Sequence, residues 1–139
     1  MEKFLYKRNP KKNADYNIWM AFPGCYSFAL SSLGYLHIFR LMDEMEEVNV
    51  ERVYSDSTKT EFQFKDVDAI AFSSSFDLDF MSIFPMFDKY KIPYKTSDRD
   101  ENMPIIFCGG PVVTANPIPY KEFFDFMVIG DGEQLNTKV

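Results

Sequence analysis

"VDAIAFSSSF", Val67 to Phe76, is apolar without alternation until its serines. A strand with one wet face alternates apolar and polar residues, whereas one covered on both faces does not, so this stretch reads as a strand of a parallel sheet with helices on either side. On its N-terminal side, "NIWMAFP" (Asn17 to Pro23) reads as the first strand. Ser27 then caps a helix through "FALSSLGYLHIFRLMDEM", whose residues Leu30, Leu33, Leu36 and Leu41 fall near one helical face. Asp43, Glu44, Glu46 and Glu47 oppose the dipole at its C-terminal end, which predicts a ragged, exposed terminus.

A second strand is expected over Val50 to Tyr54, followed by a polar loop from Ser55 to Lys65. After the Val67–Phe76 stretch, Asp77 or Asp79 caps a helix ending near Tyr90, which Pro85 should kink or shorten. "IIFCGG" (Ile105 to Gly110) is the fourth strand, a short helix lies near Lys121 to Phe124, and "FMVIGDGE" (Phe126 to Glu133) is the fifth. Alternation of strands and helices implies right-handed parallel crossovers. The expected fold is therefore an α/β three-layer sandwich with a five-stranded parallel sheet.

The 139 residues, 46% of them hydrophobic, suit one domain. Lys3, Lys7, Arg8, Lys11 and Lys12 stand against Glu2 alone, so residues 1–16 read as a basic arm and residues 17–139 as the domain proper. The net charge of −6 despite that arm leaves an acidic body, which argues against nucleic acid as a partner. No apolar run reaches the ~18 residues of a membrane helix, and no signal segment follows the arm, so a cytoplasmic protein is expected. Cys25 and Cys108 read as buried thiols, too few for a zinc or iron–sulfur site.

The unusual residues gather where strands end: Pro23-Gly24-Cys25-Tyr26, Ser73-Ser74-Ser75, Gly109-Gly110-Pro111 and Gly130-Asp131-Gly132-Glu133. In a parallel sheet these carboxyl ends share one edge, and ligands bind in the crevice outside it. Candidate cofactor-binding residues are therefore Pro23, Gly24, Tyr26, Ser73, Ser75, Gly109, Gly110, Gly130 and Gly132. Glycines let a flat ligand approach the main chain, and alternation along the strand aims one serine hydroxyl into the crevice. No Lys or Arg lies at these turns, and neither a Walker loop nor G-x-G-x-x-G is present, so phosphate cradling is weakly supported. Asp131 and Glu133 read as helix caps. His37, the one histidine, reads as a partly buried packing residue. The fifteen Phe suit a core around the sheet, with Tyr26, Phe76 and Phe80 as an alternative aromatic rim for a planar ligand.

The segments "AFPGCYSFALSSLGYLHIF", "AIAFSSSFDLDF", "IPYKTSDRDENMPIIFCGGPVVTANPIPY" and "FFDFMVIGDGEQ" together resemble the N-terminal domain of a group of radical S-adenosylmethionine proteins. That domain is similar to cobalamin-binding domains, and the resemblance implies their flavodoxin-like, Rossmann-like fold. The resemblance runs from about Ile18 to Gln134 and implies an accessory domain that positions a corrinoid, or a substrate, beside a catalytic barrel. It implies that S-adenosylmethionine and a [4Fe–4S] cluster belong to the barrel, whose C-x3-C-x2-C motif this chain lacks. The chain is thus expected to be a fragment or isolated domain that performs no radical chemistry alone, with the C-terminal radical domain of the same protein as its partner. Cobalamin domains that ligate cobalt carry Asp-x-His-x-x-Gly after the first strand. Here that turn reads Pro23-Gly24-Cys25-Tyr26-Ser27-Phe28, so cobalamin would bind without a histidine on cobalt. The resemblance maps Ser73, Ser75, Gly109 and Gly110 onto the groove of the nucleotide tail. Two other readings stay open. One is a stand-alone flavodoxin-like ligand-binding or interaction module without catalysis, although a receiver's aspartate cluster and lysine are missing. The other is a purely structural interaction domain, and in any of these readings an exposed carboxyl edge would let the fragment dimerise.

Overall fold

The computed structural model describes Lys11 and residues 14–130. Expectations for the rest of the basic arm, and for Asp131, Gly132 and Glu133, lie outside the described residues.

Five strands, β1 (Tyr16–Phe22), β2 (Val48–Tyr54), β3 (Ala69–Ser73), β4 (Ile105–Gly109) and β5 (Phe126–Val128), form one sheet in the order β2-β1-β3-β4-β5. Every pairing is parallel. This is the flavodoxin-like α/β order, whose topological switch point lies between β1 and β3. The burial of Ile70, Ala71 and Phe72 in succession is the two-sided covering that "AIAF" predicts.

The two faces are packed differently. On one, α3 (Phe80–Lys89) lays Ile83, Met86 and Phe87 against Trp19, Ile70, Phe72, Ile106 and Cys108. On the other, α2 (Leu33–Glu44) lays Tyr35, Phe39 and Met42 against Met20, Val48 and Val50. Pro85 lies inside α3, which continues through it to Lys89. Both Pro85 and Met81 are exposed, so water can take the carbonyl that proline leaves unbonded.

The helix expected over 28–45 is broken. A single turn, α1 (Tyr26–Ala29), is followed by a bend, and α2 starts afresh after Ser32. The Ser31 hydroxyl donates to the Phe28 carbonyl at 2.7 Å, so a serine competes for the bond that would continue the helix. The cap of α1 is Cys25, not Ser27. The leucines are not the packing face: Leu33 is 82% exposed, Leu36 is only partly buried against the core, and the face that packs is Tyr35, Phe39 and Met42 at spacings of four and three. His37 is exposed rather than partly buried. At the acidic end Glu44, Glu46 and Glu47 are exposed as expected but Asp43 is buried, and the Lys11 ammonium donates to the Asp43 carbonyl at 2.8 Å, where the helix runs out of partners, and to the Val48 carbonyl of β2 at 2.9 Å.

The short helix expected near Lys121–Phe124 is a 3-10 turn at Ile118–Tyr120 instead, and Phe124 is a core residue. An additional turn of helix, α4 (Pro111–Ala115), follows Gly110 directly, because proline is favoured at the first helical position. Cys108 is fully buried, and that burial pushes its thiol up to about 12, which makes it inert. Cys25 is half-buried rather than buried. Among the described residues no helix is long and apolar enough to cross a membrane.

Candidate functional site

Strand register builds the floor of a cavity. Met20 pairs with Ala71, Ala71 with Phe107, and Phe107 with Phe126, which makes one apolar row across the α2 face of the sheet. Phe107 and Phe126 stack with centroids 4.6 Å apart. Two residues further along each strand the row becomes Ser73, Gly109 and Val128. Side chains repeat every second residue, so this row lies on the same face, at the carboxyl edge. The α2 residues Tyr35, Ile38 and Met42 form one wall, and Pro111 and Thr114 of α4 form another. The enclosed volume is about 430 Å³. The Tyr35 hydroxyl donates to the Met20 carbonyl at 2.8 Å, which fixes the wall to the floor.

A second cavity of about 700 Å³ opens beside it, between the turn after β1 and the turn after β3. Pro23, Gly24, Cys25, Phe28, Ser31, Ser55, Phe76, Asp79 and Ser82 line it. Ser32 and Ser75 border both cavities. The two spaces are thus neighbours along Ser32 and Ser75, a trough in two arms across the carboxyl ends of β1, β3 and β4, at the switch point where open parallel sheets bind ligands.

Both turns that flank the trough are held by carboxylates. Asp79 Oδ2 accepts the Ser75 and Phe76 N–H groups at 3.0 and 2.9 Å. Asp56 Oδ1 accepts the Tyr26 N–H at 3.0 Å. At the far end, the Gly130 N–H donates to Thr114 Oγ1 at 3.1 Å. Among the described residues no Lys, Arg or His lines either cavity, and the one carboxylate there, Asp79, is engaged by main-chain donors. The trough thus offers hydroxyls and an apolar floor, and it has no charge suited to a phosphate. Cys25 Sγ lies 3.1 Å from Ser27 Oγ, and that hydroxyl, followed by the Phe28 N–H, draws the thiol below its ordinary range.

The structure brings together Pro23, Gly24, Ser73, Ser75, Gly109, Gly110 and Gly130 of the residues singled out in the sequence. Tyr26 stands apart: its ring packs edge-on against Tyr54 at 5.2 Å, in the core of the α2 face. Of the aromatic rim, Phe76 borders the trough, while Phe80 is packed among Phe84, Tyr120, Phe123 and Phe124. The two adjacent glycines have different reasons. Gly110 has φ +118°, and a Cβ there would collide with the Ser74 carbonyl oxygen. A Cβ on Gly109 would meet Val128 at an ordinary 3.6 Å, on the floor of the cavity. Sequence reasoning missed Ser32 and Thr114. Ser32 was hidden inside an apparently continuous helix, and Thr114 belongs to a turn of helix that only Pro111 announces. Among the described residues no group of three or more His, Cys, Asp and Glu is placed to hold a metal ion.

Residues 34–139 match a family model described as the N-terminal part of radical SAM proteins. No curated protein matches the chain.

Proposed function

This chain belongs to the family of radical SAM protein N-terminal domains, and from that premise we propose that it is the accessory domain which holds a corrinoid, or a substrate in its place, against the catalytic domain. The family implies a C-terminal catalytic domain in the same protein, and S-adenosylmethionine and a [4Fe–4S] cluster fall to that domain. The observation that carries the reading is the trough. It lies at the switch point, its smaller arm of about 430 Å³ falls within the roughly 300–1,000 Å³ of small-molecule sites, and hydroxyl and glycine positions border an apolar floor.

The residues present fit part of a corrinoid. Met20, Ala71, Phe107 and Val128 offer a dry floor for a flat aromatic base. Ser73, Ser75 and Thr114 offer hydroxyls to its polar linker. A cobalt ligand is a different matter, because no histidine lines the trough and the exposed His37 lies outside it. The ring would therefore rest on the edge without a protein nitrogen on its metal. A bound corrinoid supplies cobalt-centred group transfer; the protein's own residues bind its tail, exclude water from the floor and fix its orientation through Asp79 and Asp56, which hold the flanking turns.

The test is a titration with hydroxocobalamin and with methylcobalamin, followed by visible absorbance and calorimetry. Saturable binding at micromolar cofactor is expected. Gly109→Leu, which places its side chain over Val128 on the cavity floor, is expected to abolish it while leaving the fold intact. Failure of both cobalamins to bind at millimolar concentration would remove the corrinoid from this reading.

A further inference from the structure

Of the described glycines, three answer to the chain itself. Gly110 and Gly130 hold φ of +118° and +95°, and a Cβ on Gly24 would stand 2.9 Å from the Phe22 ring, which is itself packed edge-on against Tyr35. Gly34 and Gly109 have no such reason. Neither has a positive φ, a Cβ on Gly34 would meet nothing within 4 Å, and one on Gly109 would make ordinary contact with Val128. Gly34 is the harder to explain, because it stands second in α2, where glycine weakens the helix and alanine would strengthen it. Both residues line the cavity of about 430 Å³, Gly34 on the wall that α2 forms and Gly109 on the floor at the end of β4.

We propose that Gly34 and Gly109 set the thickness of the group this cavity accepts, and that the group is a flat, uncharged ring lying between the first turn of α2 and the end of β4. The inference rests on the reading of the trough as a ligand site and adds the shape and charge of what enters its smaller arm. Bare main chain on both wall and floor lets a ring press against each. The ring carries no charge because, among the described residues, no Asp, Glu, Lys, Arg or His lines this cavity, and a charge brought there would lose water without gaining a partner. Polar atoms on the ring's edge meet hydroxyls instead. Ser73, Ser75 and Thr114 line the space, and Ser32, which also borders it, makes no capping bond to α2 with its side chain. Glycine at position 34 weakens the helix, and it is explained if a side chain there would occupy the ligand's space.

The probes that test this are quinoxaline, a flat uncharged ring with acceptor nitrogens, and adamantanol, an uncharged globular alcohol. Their binding to the whole protein is read by saturation-transfer NMR, and the melting temperature of each variant is measured beside it. Wild type should bind quinoxaline saturably and adamantanol not at all. Gly34→Leu should bind quinoxaline at least about tenfold more weakly, with Gly34→Ala between the two. Both variants should nevertheless melt higher than wild type, since each replaces a helical glycine with a better helix former. A damaged fold would lower both readings together, so opposite signs separate a ligand role from a structural one. His37→Leu, at an exposed position of the same helix that lines neither cavity, should bind as wild type does. Equal quinoxaline affinity in wild type and Gly34→Leu would overturn the proposal. So would adamantanol binding as tight as that of quinoxaline, or no quinoxaline binding to wild type. The cobalamin titration is repeated on the same variants. Quinoxaline bound by wild type and lost in Gly34→Leu, with cobalamin bound by neither, sinks the corrinoid alone. Cobalamin and quinoxaline bound as tightly by Gly34→Leu as by wild type sink the glycine gauge alone.

Discussion

Gly109 and Gly110 show how adjacent identical residues separate once their backbone is known. Both read in the sequence as room for a ligand. Gly110 proves to be a requirement of the chain itself: its φ of +118° and extended ψ belong to glycine almost alone, and the Ser74 carbonyl occupies the space of a side chain. Gly110→Ala should therefore destabilise the domain by at least about 1–3 kcal/mol from conformation, before any clash is counted, as read by urea denaturation. Gly109→Ala should fall within about 0.5 kcal/mol of wild type, since its Cβ meets only ordinary contact. Equal losses at the two positions would refute the separation. The φ angle that divides them is a property of the β4–α4 turn, and no residue type in "CGGP" reports it. His37 and Leu33 teach the complementary point. Both read as facing inward, and both are exposed, because α2 packs through Tyr35, Phe39 and Met42 instead.

At the scale of elements, the connection from β2 to β3 is the unusual one, because a loop replaces a helix. It is fastened by Glu51, buried on β2. Its Oε1 accepts the Trp19 indole N–H at 2.8 Å and the Phe62 N–H at 3.3 Å, and Oε2 accepts the Glu61 N–H. Phe64 and Tyr90 then close over Trp19, with ring centroids 6.0 and 4.8 Å away. Burial raises the Glu51 carboxyl above the ordinary range, and the three donors offset that only in part. A folded pKa above the unfolded one means that the folded state holds the proton more tightly. This contribution to stability is present below the unfolded value of 4.5 and is lost as pH rises through the folded value. Glu51→Gln should thus gain in melting temperature relative to wild type as pH rises from 4.5, reaching a plateau near neutrality. Glu51→Ala, which orphans the indole N–H in the core, should lose about 1–3 kcal/mol and shift the emission of Trp19, the one tryptophan. A melting difference between wild type and Glu51→Gln that does not change with pH would show that burial does not hold the proton there. Strand identities at this scale were legible from "NIWMAF", "AIAFS" and "IIFCG", since unbroken apolar runs need only burial to explain them. The latch was not, because Glu51 meets Trp19 and Glu61 through register and loop closure.

Across the whole molecule, the sheet divides a closed layer from one that holds a cavity. Beneath α3, Ile83, Phe87, Ile106 and Cys108 have no exposure, and Phe87 is edge-packed on Phe72 at 5.6 Å. On the other face α2 covers β1 and β2, and the row from Ala71 through Phe107 to Val128 borders the cavity. Alternating strands and helices with right-handed crossovers predicted a parallel three-layer sandwich, and the family resemblance supplied its flavodoxin-like form. The asymmetry was not predictable that way, since Phe107 and Phe87 are the same residue type in equally apolar surroundings. The difference has a measurable consequence. Phe87→Ala empties a closed core and should cost about 3–5 kcal/mol. Phe107→Ala removes a ring that already faces open space, so water can enter the enlarged groove and the loss should be smaller by 1 kcal/mol or more, on the order of the cavity term itself. If denaturation gave the two variants equal losses, Phe107 would stand in a closed core, the floor of the trough would be part of that core, and the edge would have no apolar recess for a ligand. If the losses differ as expected, the open layer is stable without an occupant, and the same Phe107→Ala variant should bind a bulkier ligand in the widened trough than wild type does.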